Sequence, residues 1–266
     1  VASVDKKSTD DAIARILGVE EARYKEFREW SEGVILALTT LRTPEQTERM
    51  QRAGEAVTEY FFALMRARRE NPQDDLISDL VQLQAEGAAL RDEEIAANLI
   101  ALLVGGNLTT SDLIGNGVRL LLTHPEELAK LKADPSLATA TVEEVLRYES
   151  PVDITSRIAS RDMEVGGCPV KQRQTFLVSL RGANRDPSVF ENPDRFDITR
   201  KHVPHVAFGG GAHICIGQPL ARIEAAAVFR EIFTRFPDLR LPEQTLTWRT
   251  LPFFRGLETL WVETGV

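Results

Sequence analysis

Cys215 stands in the stretch Phe208-Gly-Gly-Gly-Ala-His-Ile-Cys-Ile-Gly217, a glycine-rich turn that runs directly into a segment of helical character. A thiol placed where backbone N–H groups converge on its sulfur is held as thiolate, and a thiolate can ligate iron. Taken alone, the same residues also describe a glycine-rich loop with Cys215 as a small, inert core residue. Two other clusters have chemistry-bearing types at meaningful spacing. In Gly105-Gly-Asn-Leu-Thr-Thr110, small residues admit a close approach of backbone to a flat ligand, or the threonine hydroxyls simply bond back to their own helix. Glu144 and Arg147 share one helical face at i and i+3, a spacing that on a surface is worth about 0.2–0.5 kcal/mol.

The elements that must position these groups are mostly helical. Asp10 or Asp11 is expected to cap a helix that runs through Leu17 and stops at Gly18. Tyr24, Phe27 and Trp30 mark a second helix over 20–30. Pro44 suits the first turn of a long helix to Arg69, with Val57, Phe61, Leu64 and Met65 as its apolar stripe. A short helix is expected over 74–83. Asp92, Glu93 and Glu94 then start a helix that continues to Leu122, with glycines at 105, 106, 115 and 117 that each cost about 1 kcal/mol relative to alanine. A close ligand approach or a local opening of the helix is the expected compensation. A further helix covers 136–149. Short strands are expected at 154–159, 164–165, 175–179, 246–248 and 259–262, and a helix at 218–236. Cys168 in Gly-Gly-Cys-Pro reads as a turn residue, and His124, His202 and His205 as helix-end and loop residues.

Composition limits the function classes. With 266 residues, 43% hydrophobic and 27% charged, the chain is that of a folded protein with a sizeable core. A net charge of −8 disfavours a nucleic-acid partner, which calls for a basic stripe. The longest apolar run, around 99–104, is broken by Gly105 and Gly106, short of the ~20 residues of a membrane span, so no membrane role is expected. Two cysteines and no secretory segment at the start fit two free thiols in the cytoplasm.

The residues at 208, 211, 215 and 217 resemble the haem-binding signature of the cytochrome P-450 monooxygenases. Leu17-Gly-Val, the Trp30 helix, the glycine-bearing helix, Glu144 with Arg147, Asn184-Arg-Asp-Pro187 and Arg195 follow the same family order. The resemblance implies a cytochrome P-450 fold, mainly α with a minor β-sheet, as a single domain over 1–266. Because Leu17-Gly18-Val19 resembles a point well inside a complete member, the chain corresponds to roughly the C-terminal two-thirds, N-terminally incomplete.

The same resemblance implies roles residue by residue. Cys215 would be the axial ligand of heme b, with the Ile216, Gly217 and Gln218 amides donating to its sulfur. Phe208 would pack beneath the macrocycle, Gly211 would let the backbone approach it, and Gly217 would turn the chain into the next helix. Gly105 and Gly106 would border the cofactor. Arg157 and His213 would meet its propionates. Glu144, Arg147 and Arg195 would form a buried structural network behind it. Thr109 would assist delivery of the proton that splits dioxygen, although Leu108 occupies the place of the family's acidic residue and cannot relay a proton. Asn107 or Asp112 would have to organise water in its stead. Substrate contacts would come from 98–109, from the Val152–Ile154 turn and from the 252–254 loop. The implied activity is insertion of one oxygen atom into a small apolar substrate, with electrons from a ferredoxin or flavodoxin-like donor. The alternative is a truncated, non-catalytic remnant of such an enzyme.

Overall fold

The computed structural model describes residues 2–3, 7–39, 41–251 and 253–265, with side chains from residue 12 onward. It divides into two compact units, Asp5–Ser111 and Asp112–Val266 with Val1–Val4.

The first unit is built from helices. Helix α1 (Lys7–Ile16) starts before the expected caps, Asp10 and Asp11, whose side chains lie outside the described set. It stops where expected, at Gly18, whose φ of 72° is left-handed. A 3-10 turn (Glu21–Arg23) leads into α2 (Tyr24–Val34). Helix α3 (Pro44–Glu70) begins with a reciprocal capping box: the Gln46 N–H donates to Thr43 Oγ1 at 3.1 Å, and the Thr43 N–H to Gln46 Oε1 at 2.9 Å. Helix α4 (Leu76–Ala85) is capped by Asp75, which accepts from the Ser78 N–H at 2.8 Å. Its other carboxylate oxygen lies 2.6 Å from Arg68 Nε, and Arg68 also donates to the Gly18 carbonyl. Leu17, Phe27, Val57, Phe61, Met65, Ile77, Leu99 and Leu103 form this unit's core.

Helix α5 (Asp92–Thr123) is one unbroken helix through all four of its glycines, and the division between the units falls within it. By length and apolar composition it could cross a membrane. Leu99, Leu103, Leu113, Val118 and Leu121 are nevertheless buried in protein cores.

In the second unit, α6 (Pro125–Ala133), α7 (Ala138–Tyr148) and α9 (Gln218–Arg235) enclose a core of Leu113, Val118, Leu121, Val142, Val145, Ala225, Phe229 and Phe233. Gly117 has a packing reason: a Cβ there would stand 2.2 Å from Phe229 Cζ. Among the described residues the minor sheet is three two-stranded pieces. Strand β1 (Ala2–Ser3) pairs antiparallel with β6 (Trp261–Val262). Strand β2 (Ile154–Ile158) pairs with β5 (Thr175–Ser179), Ile154 opposite Ser179. Strand β3 (Met163–Val165) pairs with β4 (Cys168–Val170). Cys168 is therefore the first residue of a strand; the turn is Gly166-Gly167, whose φ values of 58° and 81° suit a two-residue hairpin. The strand expected at 246–248 is reduced to a single bridge, Trp248 to Leu257. A short helix α8 (Leu180–Ala183) precedes the long loop that carries Asn184 and Arg195.

Candidate functional site

Gly209 and Gly211, with φ of 70° and 72°, bend the chain between Phe208 and Cys215 in a way only glycine adopts without strain. The bend brings the Cys215 N–H back to the Phe208 carbonyl at 3.0 Å, and the Ile214 N–H to the Gly211 carbonyl at 3.1 Å. A 3-10 turn (Gly211–His213) lies between them. The Cys215 thiol is free and exposed. Gly217 has φ −79°, open to any residue, and a Cβ there would make an ordinary 3.8 Å contact with Cys215 Sγ. Its expected role in the turn is thus not a conformational one. Of the three amides expected to face the sulfur, Gln218 N–H lies 3.4 Å from the Cys215 carbonyl. Among the described residues the N–H groups of Ile216 and Gly217 have no main-chain partner and stay available to a thiolate.

Behind this loop, Glu144 and Arg147 are wholly buried on α7. Arg147 Nε and Nη2 lie 2.8 and 2.7 Å from the two Glu144 carboxylate oxygens. Its remaining N–H groups donate to the carbonyls of Asn184 (3.1 Å), Pro193 (2.8 Å) and Arg195 (2.9 Å), so all five guanidinium donors are satisfied. A buried pair is stable only when fully partnered in this way. Arg195 therefore joins through its main chain, while its own guanidinium is exposed and 3.9 Å from Asp197. The second guanidinium on Glu144 is that of Arg200, with Nε 3.2 Å from Oε2. This corrects the expectation from the Asn192-Pro-Asp-Arg-Phe196 stretch: four residues further on, the turn after Asp197 aims Arg200 back at α7. Asn184, also fully buried, accepts the Val206 N–H at 2.8 Å and so ties the network to the start of the cysteine loop.

A second network went unread in the sequence. Glu143 accepts from Arg222 Nε at 2.6 Å and Nη2 at 3.2 Å, and its Oε2 lies 3.0 Å from His205 Nε2. Burial alone would raise this carboxyl, but the hydrogen bonds from His205 and Arg222 and the Arg222 charge prevail and bring it down to about 2. Phe208 packs against this group, its ring 4.6 Å from the Arg222 guanidinium and 6.0 Å from the His205 ring. The signal available beforehand was the consecutive pair Glu143-Glu144: adjacent helix positions point about 100° apart, so two acids need two sets of partners.

On α5, Thr109 Oγ1 donates back to the Gly105 carbonyl at 2.7 Å. Gly105 faces open space, whereas the place of a Cβ on Gly106 is filled by Ile13, 3.0 Å away, so helix packing accounts for Gly106. Leu108 is buried. Asn107 Nδ2 donates to Ser31 Oγ at 2.9 Å, and Asp112 lies 3.1 Å from Arg249. Both expected water organisers are thus committed to protein partners.

Arg157 is exposed on β2, donating to Thr155 Oγ1 at 2.9 Å and to the Ser156 carbonyl at 2.7 Å. His213 is exposed on the turn before Cys215. The Val152–Ile154 turn meets the expected substrate-side loop: Val152 bridges Phe254, and the Asp153 N–H donates to the Phe253 carbonyl at 3.0 Å. Pro252 of that loop lies outside the described residues.

The donor set of the second unit fits haem. It offers one accessible thiol with two uncommitted amides beside it, and an exposed guanidinium and an exposed imidazole, Arg157 and His213, as hydrogen-bonding partners for carboxylates. Ile214 and Ile216, exposed by 49 and 83%, give that loop an apolar surface that a macrocycle would cover, and Ile223 on α9 is exposed by 67%.

A family model described as Cytochrome P450 matches residues 33–253. The chain is 42% identical over 249 residues to a biotin biosynthesis cytochrome P450 of Bacillus subtilis, covering 93% of this chain and 62% of that protein. It is 38% identical to 6-deoxyerythronolide B hydroxylase of Saccharopolyspora erythraea, with 93 and 61% covered. It thus spans about three-fifths of the length of these curated relatives. The crystal structure of P450BioI with a hexadec-9Z-enoic acid ligated acyl carrier protein superposes with TM-score 0.91 at 40% identity, over 96% of this chain and 65% of that one. The order of motifs, the fold and the matched span together establish that this chain belongs to the cytochrome P450 family.

Proposed function

We propose that this chain is a haem-thiolate monooxygenase that inserts one atom of dioxygen into a small apolar substrate and reduces the other to water. The observation that carries the reading is the exposed Cys215 thiol on its glycine-bent, doubly anchored loop. Bound haem b would supply the iron and the redox chemistry at which dioxygen is cleaved. Cys215 would hold that iron as thiolate, with the Ile216 and Gly217 amides tempering the sulfur's charge. Arg157 and His213 would hold the two propionates, whose burial requires cationic or hydrogen-bonding partners. Electrons would come from a ferredoxin or flavodoxin-like donor in the cytoplasm.

Thr109 would hold a proton at Oγ1. To hand it on, the hydroxyl must leave the Gly105 carbonyl it now bonds. Leu108 relays nothing, and Asn107 and Asp112 are engaged with Ser31 and Arg249, so proton delivery to Thr109 passes through solvent. An apolar substrate is supported by Val152, Phe253 and Phe254 on the paired turn and loop. Among relatives, P450BioI is known bound to an acyl chain on its carrier protein.

Leu108 favours a second reading, a family member that binds haem without productive turnover. The two separate in a reaction with ferredoxin, ferredoxin reductase, NADPH and ¹⁸O-labelled dioxygen on a panel of apolar substrates. Product carrying one labelled oxygen, lost in Thr109→Ala and increased in Leu108→Asp, is expected of the monooxygenase. NADPH oxidation with no labelled product in any variant supports the second reading.

A further inference from the structure

We infer that Glu143, His205 and Arg222 form a clasp that closes the base of the cysteine loop and positions Cys215. The inference rests on reading Cys215 as the iron ligand and deepens it: these are positioning residues for that thiolate.

The loop needs such a device because it has little to hold it from within. Every residue from Gly211 to Ile216 is exposed, and its internal ties are the three main-chain bonds at Gly209, Ile214 and Cys215. Rigidity must therefore come from the two ends. His205 stands just before the loop, its side chain only 3% exposed. The ring has both nitrogens in use: Nδ1 accepts the Ala207 N–H at 3.2 Å, which makes Nε2 the protonated nitrogen that donates to Glu143. Arg222 stands one turn into α9, just after the loop. It binds Glu143 through two nitrogens and reaches Gln218 Oε1, at the start of α9, with Nη1 at 2.8 Å. One carboxylate on α7 thus joins the residues entering the loop to the residues leaving it.

The link to Cys215 passes through Phe208. Its ring is packed by both partners of Glu143, and its carbonyl receives the Cys215 N–H at 3.0 Å. Releasing Glu143 frees both ends of the loop and leaves two donors without their acceptor, so the bond that orients Cys215 opens more often.

The test is hydrogen–deuterium exchange of the loop amides, which reads the clasp whether or not haem binds. In Glu143→Gln the amides of residues 206–217 are expected to exchange about tenfold faster, with the α5 and α7 core amides unchanged. His205→Asn, which keeps an acceptor for the Ala207 N–H but shortens the reach to Glu143, is expected to give a smaller increase in the same amides. It serves as the test if Glu143→Gln does not fold. Unchanged loop exchange in a folded variant overturns the clasp. In haem-loaded protein, the ferrous carbon monoxide complex of either variant is expected to lose part of its thiolate-type band at constant total haem while the α5 and α7 core amides keep their protection, which separates a local effect on the loop from general destabilisation. An unaltered band alongside faster loop exchange overturns the positioning role. Failure of the unsubstituted chain to bind haem contradicts the reading of Cys215 and leaves the exchange result standing.

Discussion

Arg200 Nε lies 3.2 Å from Glu144 Oε2, while Arg195 reaches the same network only through its carbonyl. The two arginines should therefore differ on truncation. Arg195→Ala keeps the carbonyl and is expected to change stability by less than about 0.5 kcal/mol, as exposed side chains do. Arg200→Ala removes a charge-assisted bond from a buried carboxylate and is expected to cost about 1–3 kcal/mol. Urea unfolding of the two variants side by side checks this; equal losses would contradict the assignment.

Arg147→Ala is expected to be far more severe. It strands the buried Glu144 carboxylate and leaves the carbonyls of Asn184, Pro193 and Arg195 without their donor. Losing one partner of a buried pair costs about 3–5 kcal/mol, a large part of the stability of a domain. Thermal unfolding should show either a greatly lowered midpoint or no cooperative transition.

Two glycines of α5 should answer to alanine with opposite sign. At Gly115 a Cβ meets nothing within 4 Å, so Gly115→Ala is expected to stabilise by up to about 1 kcal/mol through helix propensity. At Gly117 a Cβ would press on the buried Phe229 ring, 2.2 Å away, and Gly117→Ala is expected to destabilise by about 1–3 kcal/mol. Denaturant midpoints of both variants decide it.

Stability should pass through a maximum near pH 5. Burial pushes the Glu224 carboxyl up to about 7, so between its ordinary value of 4.5 and about 7 the folded chain holds a proton that the unfolded chain has released. Stability then falls as pH rises through that window. Discounted for partial solvent exposure, the effect is on the order of 1 kcal/mol, and Glu224→Gln should abolish it. Glu143 acts in the opposite direction: its carboxyl is held down to about 2, so its contribution is present above 4.5 and lost as pH falls toward 2. Unfolding free energies measured from pH 3 to pH 8 test both arms.

The features legible in the sequence were those with a local signature. Helices α3, α5 and α9 showed themselves through periodicity, the Pro44 start and the acidic residues at 92–94. The cysteine loop showed itself through glycines whose backbone angles no other residue adopts freely. Partners brought together from distant segments left no such trace. Glu143 lies 62 residues before His205 and 79 before Arg222, and nothing in the spacing of these three joins them. The family resemblance points to Arg195 alone, whereas the turn around Asp197 brings the Arg200 guanidinium to α7. Cys168 was read as part of a turn because Gly166-Gly167 was not recognised as the whole of it.

Cys215 as the axial thiolate is tested most directly by the difference spectrum of the haem-loaded chain, reduced under carbon monoxide, with Cys215→Ala as control. The expected result is a strongly red-shifted thiolate-type Soret band that disappears in the variant. A band at the same position in both proteins, or no haem bound by the unsubstituted chain, would contradict it.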